Sequence, residues 1–271
     1  NNAGSFTAND SINAGSGNIN IPNASSVIFS STSLNNIGGN IDIDTPGTFT
    51  ANANSKITAG GDGKALNINA SGITLNGTPG GQLVNTGTGT ITLASTGVAN
   101  NITLEDNSIN IANGTLSLSS QGEINGTNNA TAEVISDGNI TLQANGIGHT
   151  GEIEIEGDAS EDSDSELTIT NTGAKNVNIE ELANLFNQFT ITQQNTASNI
   201  TIDAADAGDT IAITGGTPVT ININTIDGAD EGVSYSIAGT GININSLNTG
   251  TATASLTSGG DITQSGVMTV G

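Results

Sequence analysis

One short phrase recurs along the whole chain: an apolar–polar–apolar triplet followed by Gly, Asn or Asp. It appears as Ile41-Asp42-Ile43, Leu66-Asn67-Ile68, Ile91-Thr92-Leu93, Leu116-Ser117-Leu118, Ile140-Thr141-Leu142, Leu167-Thr168-Ile169, Ile200-Thr201-Ile202, Ile221-Asn222-Ile223 and Ile242-Asn243-Ile244. In an extended segment such a triplet sends its outer two side chains to one face and its middle one to the other. One triplet cannot make a core, but many stacked on each other can.

The triplets are periodic at a second level. In the C-terminal half they form two interleaved series. One starts at Leu167 and recurs near Phe189, Ile211, Val233 and Ala254, and the other starts at Val177 and recurs near Ile200, Ile221, Ile242 and Ile262. Each steps by about 20–23 residues, a spacing characteristic of solenoid coils. The N-terminal half is looser, with Ile19, Ile41, Leu66 and Ile91 stepping by about 22–25 residues. Phe6, Phe29 and Phe49 also lie roughly one coil apart. These spacings predict an all-β fold, a parallel β-helix of about twelve coils of roughly 20–25 residues. A right hand is expected from chain chirality. Phe6, Phe29 and Phe49 are expected to stack inside it as an aromatic ladder, and Ile169, Ile191 and Ile213 as an aliphatic one.

Composition fits frequent corners between short strands. The chain has 37 Gly and only 4 Pro. Gly takes positive φ freely and Asn or Asp tolerate it. Pro is disfavoured where nearly every backbone N–H donates to a neighbouring coil. Stacked corner Asn side chains can bond up and down the axis. No linker or composition break is visible, so residues 1–271 read as a single solenoid segment, a rod about 55–60 Å long at ~4.8 Å per coil. The chain begins at Asn1-Asn2-Ala3 and closes in mid-pattern at Val270-Gly271 without a polar cap, which reads as part of a longer fibre.

Charge narrows the partners. The net charge is −23, from 26 acidic residues against 3 basic ones, all lysine. That excludes nucleic acid and anionic lipid as expected partners, because phosphate recognition needs Lys and Arg. No run is apolar and long enough for membrane insertion. The charge favours solubility, repulsion between rods and uptake of divalent cations. No cofactor is required, and Ca²⁺ is the one metal the residues suggest. The absence of cysteine suits an exported strand-rich protein and equally a cytosolic one.

Two stretches depart from the pattern. Glu152, Glu154 and Glu156 alternate with Ile153 and Ile155, and a loop follows that carries Asp158, Glu161, Asp162, Asp164 and Glu166. These five are the candidate Ca²⁺ ligands, set against the plainer reading of a solvated acidic loop. Weaker acidic clusters are Asp203, Asp206, Asp209 and Asp227, Asp230, Glu231. Glu180 to Phe189 is the only stretch with helical spacing, apolar at Leu182, Leu185, Phe186 and Phe189, and predicts a helical turn at a corner. His149, the lone histidine, reads as a loop residue rather than a proton shuttle.

The phrase Gly259-Gly260-Asp261-Ile262-Thr263-Gln264-Ser265-Gly266 resembles the degenerate repeats of filamentous-haemagglutinin-type adhesins and related two-partner-secretion and autotransporter-like surface proteins. Gly138-Asn139-Ile140-Thr141-Leu142-Gln143-Ala144 and Gly89-Thr90-Ile91-Thr92-Leu93-Ala94-Ser95 are similar to it. The resemblance implies a right-handed β-helical shaft, secreted to the cell surface, in a family that attaches to host cells, neighbouring cells or matrix. The Asn-Pro-Asn-Gly motif of that family's secretion domain is missing here, so the chain would be shaft.

The function expected is therefore a structural, adhesive shaft of an extracellular fibre or giant adhesin, projecting a binding tip and associating laterally. The alternatives are a polymerising subunit of a surface filament, or a β-helix that binds or degrades polysaccharide. Enzymatic action is not expected. A lyase base of Arg type is missing, and sugar-ring platforms are limited to Tyr235, with no Trp.

Overall fold

Residues of the triplets alternate inward and outward, and the strands they form pair with those of the preceding and following turns in parallel. The structure, a computed structural model, describes all residues except 1–3, 37, 77–80, 158–164, 183–185, 197, 204–209, 228–233 and 271. It is a parallel β-solenoid of about ten turns, rather than the twelve expected, built from three parallel sheets.

Every turn of the N-terminal half has three faces. The first sheet stacks Phe6–Ala8, Val27–Phe29, Thr48–Ala51, Gly72–Leu75, Ile102–Leu104 and Ile124–Asn125. The second begins at Ile12–Ala14 and the third at Ile19–Pro22. The series Ile19, Ile41, Leu66, Ile91 is one register column of the third sheet. The Ile/Leu spacing thus marks the third sheet, and the Phe6, Phe29, Phe49 spacing marks the first.

The cross-section changes near residue 150. Ile147 bridges Ile124 on one side and Val177 on the other, continuing the first face by a single residue. The strand Val177–Glu181 then also pairs with Ile153–Glu156 of the second sheet. From here the first face merges into the second. The strands accordingly lengthen, and Thr220–Asp227 and Gly241–Asn248 each run eight residues.

The core is a closed aliphatic interior. Ile169, Ile191 and Ile213 lie in one register column and are fully buried. Burying each such side chain contributes roughly 1.5–3 kcal/mol. The phenylalanine rings touch in sequence, Phe6 to Phe29 with centroids 6.0 Å apart and Phe29 to Phe49 at 5.9 Å. They do not share a column: Phe6, Val27 and Phe49 are in register, as are Ala8, Phe29 and Ala51. Alternating large and small residues in adjacent columns gives each ring room beside an alanine.

Three expectations are corrected. The helical turn at 180–189 is not formed in its described part. Glu180 and Glu181 end one strand, and Phe186–Gln193 is another, while 183–185 lie outside the described residues. A register shift between Ser165 and Glu166 adds one residue opposite, so Phe186 and Phe189 both point inward, their rings 5.5 Å apart. A bulge thus mimics helical spacing. In the third sheet the column runs Leu167, Phe189, Ile211, Tyr235, Ala254, with Tyr235 at the place assigned to Val233, which lies outside the described residues. In the second sheet Ile200 opposes Ile223, not Ile221, and a further shift sets Ile202 against Ile226.

Corners are closed by buried polar side chains. Asn36 Nδ2 donates to the Gly17 and Asn40 carbonyls while its Oδ1 accepts from Gly39 N–H. Asn85 and Asn171 repeat the device, taking Gly87 and Gly146 N–H groups. Side-chain ladders between coils occur as short pieces, Asn67 to Asp42 at 2.7 Å, Asn76 to Asn52 at 3.3 Å and Asn243 to Asn222 at 2.9 Å.

Candidate functional site

The acidic strand Ile153–Glu156 follows the solenoid pattern on its inner face, with Ile153 and Ile155 fully buried. Its outer face is unusual. Glu156 is exposed and Glu152 half-buried, but Glu154 is only 1% exposed. The cause is the segment between Ile124–Asn125 and Val134–Ser136, which folds outward over the sheet. Its Asn129 N–H donates to Glu154 Oε1 at 3.1 Å, and its Asn128 Oδ1 accepts from Glu152 N–H at 2.9 Å. Gly126 permits this approach, since a Cβ there would lie 2.2 Å from the Glu152 carbonyl and 2.6 Å from the Glu133 carboxyl carbon.

Glu133 lies beneath the same segment, fully buried. Its Oε1 accepts from Thr127 N–H at 2.8 Å, and its Oε2 from Glu154 N–H at 2.8 Å. Thr127 Oγ1 sits 2.8 Å from Glu133 Oε1 and 2.9 Å from Asp106 Oδ1, and can give its one proton to either. Glu133 is thus a satisfied carboxylate. Glu154 is not: its Oε2 is buried and has no hydrogen-bond partner.

Register extends the group along the axis. Glu154 opposes Glu180, Glu180 opposes Asp203, and Asp203 opposes Asp227. With Glu133, whose N–H donates to the Glu154 carbonyl, this makes five acidic residues on successive turns, about 4.8 Å apart along the backbone. Within it, one carboxylate oxygen each from Glu152, Glu154 and Glu180 lie within 4.8 Å of one another.

Electrostatics follow from that crowding. Burial first, and then the side-chain hydrogen bond that a protonated Glu154 can give to Glu133 and the negative charge of Glu133, push Glu154 up to about 9. Glu152 is raised by burial and then by Glu180, Asp203 and Glu133. Glu180 is raised by burial and by Asp203. The charged neighbours acting on these three are all carboxylates.

An unfolded glutamate titrates near 4.5, and Glu154 in the fold near 9. Below the unfolded value both states hold the proton and the full stability is present. As pH rises toward the folded value, the unfolded chain ionises while the folded one resists, so stability falls. Glu154→Gln should therefore flatten the profile. In chelator, it is expected to match the parent near pH 4 and exceed it by about 1–3 kcal/mol at pH 8. Urea midpoints at the two pH values measure this, and an equal offset at both would refute the assignment.

A second charged group lies nearby. Glu123, 5% exposed, pairs with Lys175 and accepts from Asn125 Nδ2 at 2.9 Å. Burial alone would push its pKa up, but Lys175 and Asn125 outweigh that and hold it below the usual carboxylate range. His149 sits in the adjacent loop, where its Nδ1 accepts from Asn176 N–H at 3.2 Å and braces the next coil.

Of the five candidate ligands read from sequence, Asp158, Glu161, Asp162 and Asp164 lie outside the described residues. Glu166 is described: it is exposed on the strand Ser165–Asn171, its N–H donating to Asn139 Oδ1 at 2.9 Å. Asp206, Asp209, Asp230 and Glu231 also lie outside the described residues. Asp203 and Asp227 belong to the axial column rather than to separate loops. Sequence reasoning missed that column, although a signal existed. Ile153-Glu154, Ile179-Glu180, Ile202-Asp203 and Ile226-Asp227 each set an acidic residue after an isoleucine at successive coil positions.

A depression of about 290 Å³ is lined by Ser95, Ser119, Ser120, Gln121 and Gln143, among others, and holds no titratable group. Among the described residues no helix is long and apolar enough to cross a membrane. Comparison with known proteins finds no matching family model, no significantly similar curated protein and no significantly similar solved structure.

Proposed function

We propose that this solenoid is a structural shaft segment of an extracellular fibre, a stiff spacer that carries a binding tip away from a surface. The observation that supports it best is the unbroken parallel pairing along the third sheet, from Ile19–Pro22 to Ala254–Ser258. Each turn hydrogen-bonds to the next along the axis, so bending or stretching must break several bonds at once. The interior is filled by Ile, Leu, Val and Phe. The outward column Thr92, Ser117, Thr141, Thr168, Thr190 carries short uncharged side chains suited to a passive surface. The likeness of the Gly259–Gly266 phrase to filamentous-haemagglutinin-type repeats supports the same reading, with the shaft displayed at a bacterial cell surface.

Two measurements test it. Pulling along the axis should give high-force rupture in steps of about one coil, roughly 20–25 residues. The isolated segment, presented to matrix proteins and glycans, should show no saturable binding. Saturable binding that maps to one outward face, or turnover of a polysaccharide, would overturn the spacer reading.

A further inference from the structure

We infer that Glu152, Glu154 and Glu180 form a divalent-cation site, selective for Ca²⁺ over Mg²⁺, that clamps two successive turns of the solenoid. The inference does not depend on the shaft reading, because it rests on the arrangement of these side chains alone.

Four observations carry it. First, the three carboxylate oxygens lie within 4.8 Å of one another, and they come from two adjacent turns joined by the Glu154–Glu180 register pair. Oxygens that close can share one cation, and Ca²⁺ accepts the irregular, partly hydrated ligand set that such a site offers, whereas Mg²⁺ demands near-ideal octahedral geometry. Second, Glu154 is 1% exposed, yet its Oε2 has no hydrogen-bond partner. A buried carboxylate oxygen without a donor is costly; either a proton held beside Glu133 or a bound cation relieves it, and a cation that displaces that proton would gain both carboxylates of the register pair as ligands. Third, Glu152 and Glu180 are half-buried, which leaves a solvent side from which water can fill the remaining coordination positions. Fourth, the charged groups acting on the three are carboxylates, with Glu133 on one side and Asp203 on the other. Among the described residues no counter-charge acts on the three.

This differs from the acidic loop singled out by sequence. That loop offers flanking carboxylates in a row, whereas the strand site converges three from two turns. The two are separable by experiment. Binding of CaCl₂ and of MgCl₂ is measured by calorimetry in about 150 mM salt, which screens diffuse uptake by the net negative surface. One saturable Ca²⁺ site is expected, with Kd on the order of 10⁻⁴ M, and Mg²⁺ at least about tenfold weaker. Glu152→Gln with Glu180→Gln should abolish that site. Glu156→Gln with Glu166→Gln, on neighbouring exposed positions, should leave it within about twofold. Far-UV circular dichroism checks that both pairs keep their strand content, and Glu180→Gln alone, expected to weaken binding about tenfold, serves if the double variant does not fold. The inference is overturned if the parent shows no saturable Ca²⁺ uptake, if uptake survives the strand substitutions, if the control pair removes it, or if Mg²⁺ binds equally well.

Discussion

Gly114→Ala is expected to destabilise the solenoid by about 3 kcal/mol or more, a large cost for one added methyl group. A Cβ at Gly114 would lie 1.8 Å from the Gly89 carbonyl oxygen on the turn below. That oxygen already accepts from Thr115 N–H at 3.2 Å. The contact is with backbone, so no side chain can swing away. The same corner repeats on neighbouring turns, where a Cβ at Gly89 would meet Lys64 O at 1.7 Å and one at Gly138 would meet Gly114 O at 1.7 Å. Relief requires the turns to separate beyond the ~4.8 Å their hydrogen bonds enforce. Gly17→Ala is the control, because nothing lies within 4 Å of its Cβ position, and it should change stability by less than about 0.5 kcal/mol. Urea denaturation of both variants decides it. Equal midpoints would show that the corner can open freely.

Phe49→Ala should cost about 3–5 kcal/mol, concentrated in the N-terminal turns. Phe49 is fully buried, its ring 5.9 Å from that of Phe29. Its register neighbours in the same column are Val27 and Ile73, which cannot fill a ring-sized void without distorting the backbone. Phe6 is only partly buried and touches Phe29 alone among the rings, so Phe6→Ala should cost less than half as much. Because contacts in a solenoid run between adjacent turns, the loss should appear as early unfolding near Phe49 rather than as a uniform shift. Hydrogen exchange resolved along the chain would measure it. Protection lost equally at Ile237 and Ile57 would contradict a nearest-neighbour fold.

These two cases differ in how far the residues announce themselves. The Phe6, Phe29, Phe49 spacing is visible in sequence, and so is their inward direction. That Phe29 stands in the neighbouring column, beside Ala8 and Ala51, is not, because spacing of about one coil does not distinguish two positions two residues apart. The glycine corner is hidden among 37 glycines, most of which look alike until backbone neighbours are known. Phe186 and Phe189 mislead outright. Their spacing is helical, and only the register shift at Ser165–Glu166 explains how both enter one strand's interior.

The acidic residues divide similarly. Alternation in residues 152–156 predicts a glutamate face on one strand, and the strand is there. It gives no sign that Glu154 is sealed from solvent, because the cover comes from Asn129, 25 residues earlier. The order of burial along that strand is therefore set by a segment of the preceding turn.

What the residue pattern decided is the stacked coil itself: alternating apolar triplets at a coil-length period have no other way to bury both outer side chains. Which aliphatic residues face inward follows from the same rule. The number of faces per turn, the merging of two sheets at Val177–Glu181, the register slips and the meeting of Glu152, Glu154 and Glu180 came only with the tertiary structure. The physical reason is common to all four. Alternation encodes inside against outside locally, whereas corners, bulges and covering loops depend on contacts with the turn above or below, and those contacts exist only after the coils have stacked.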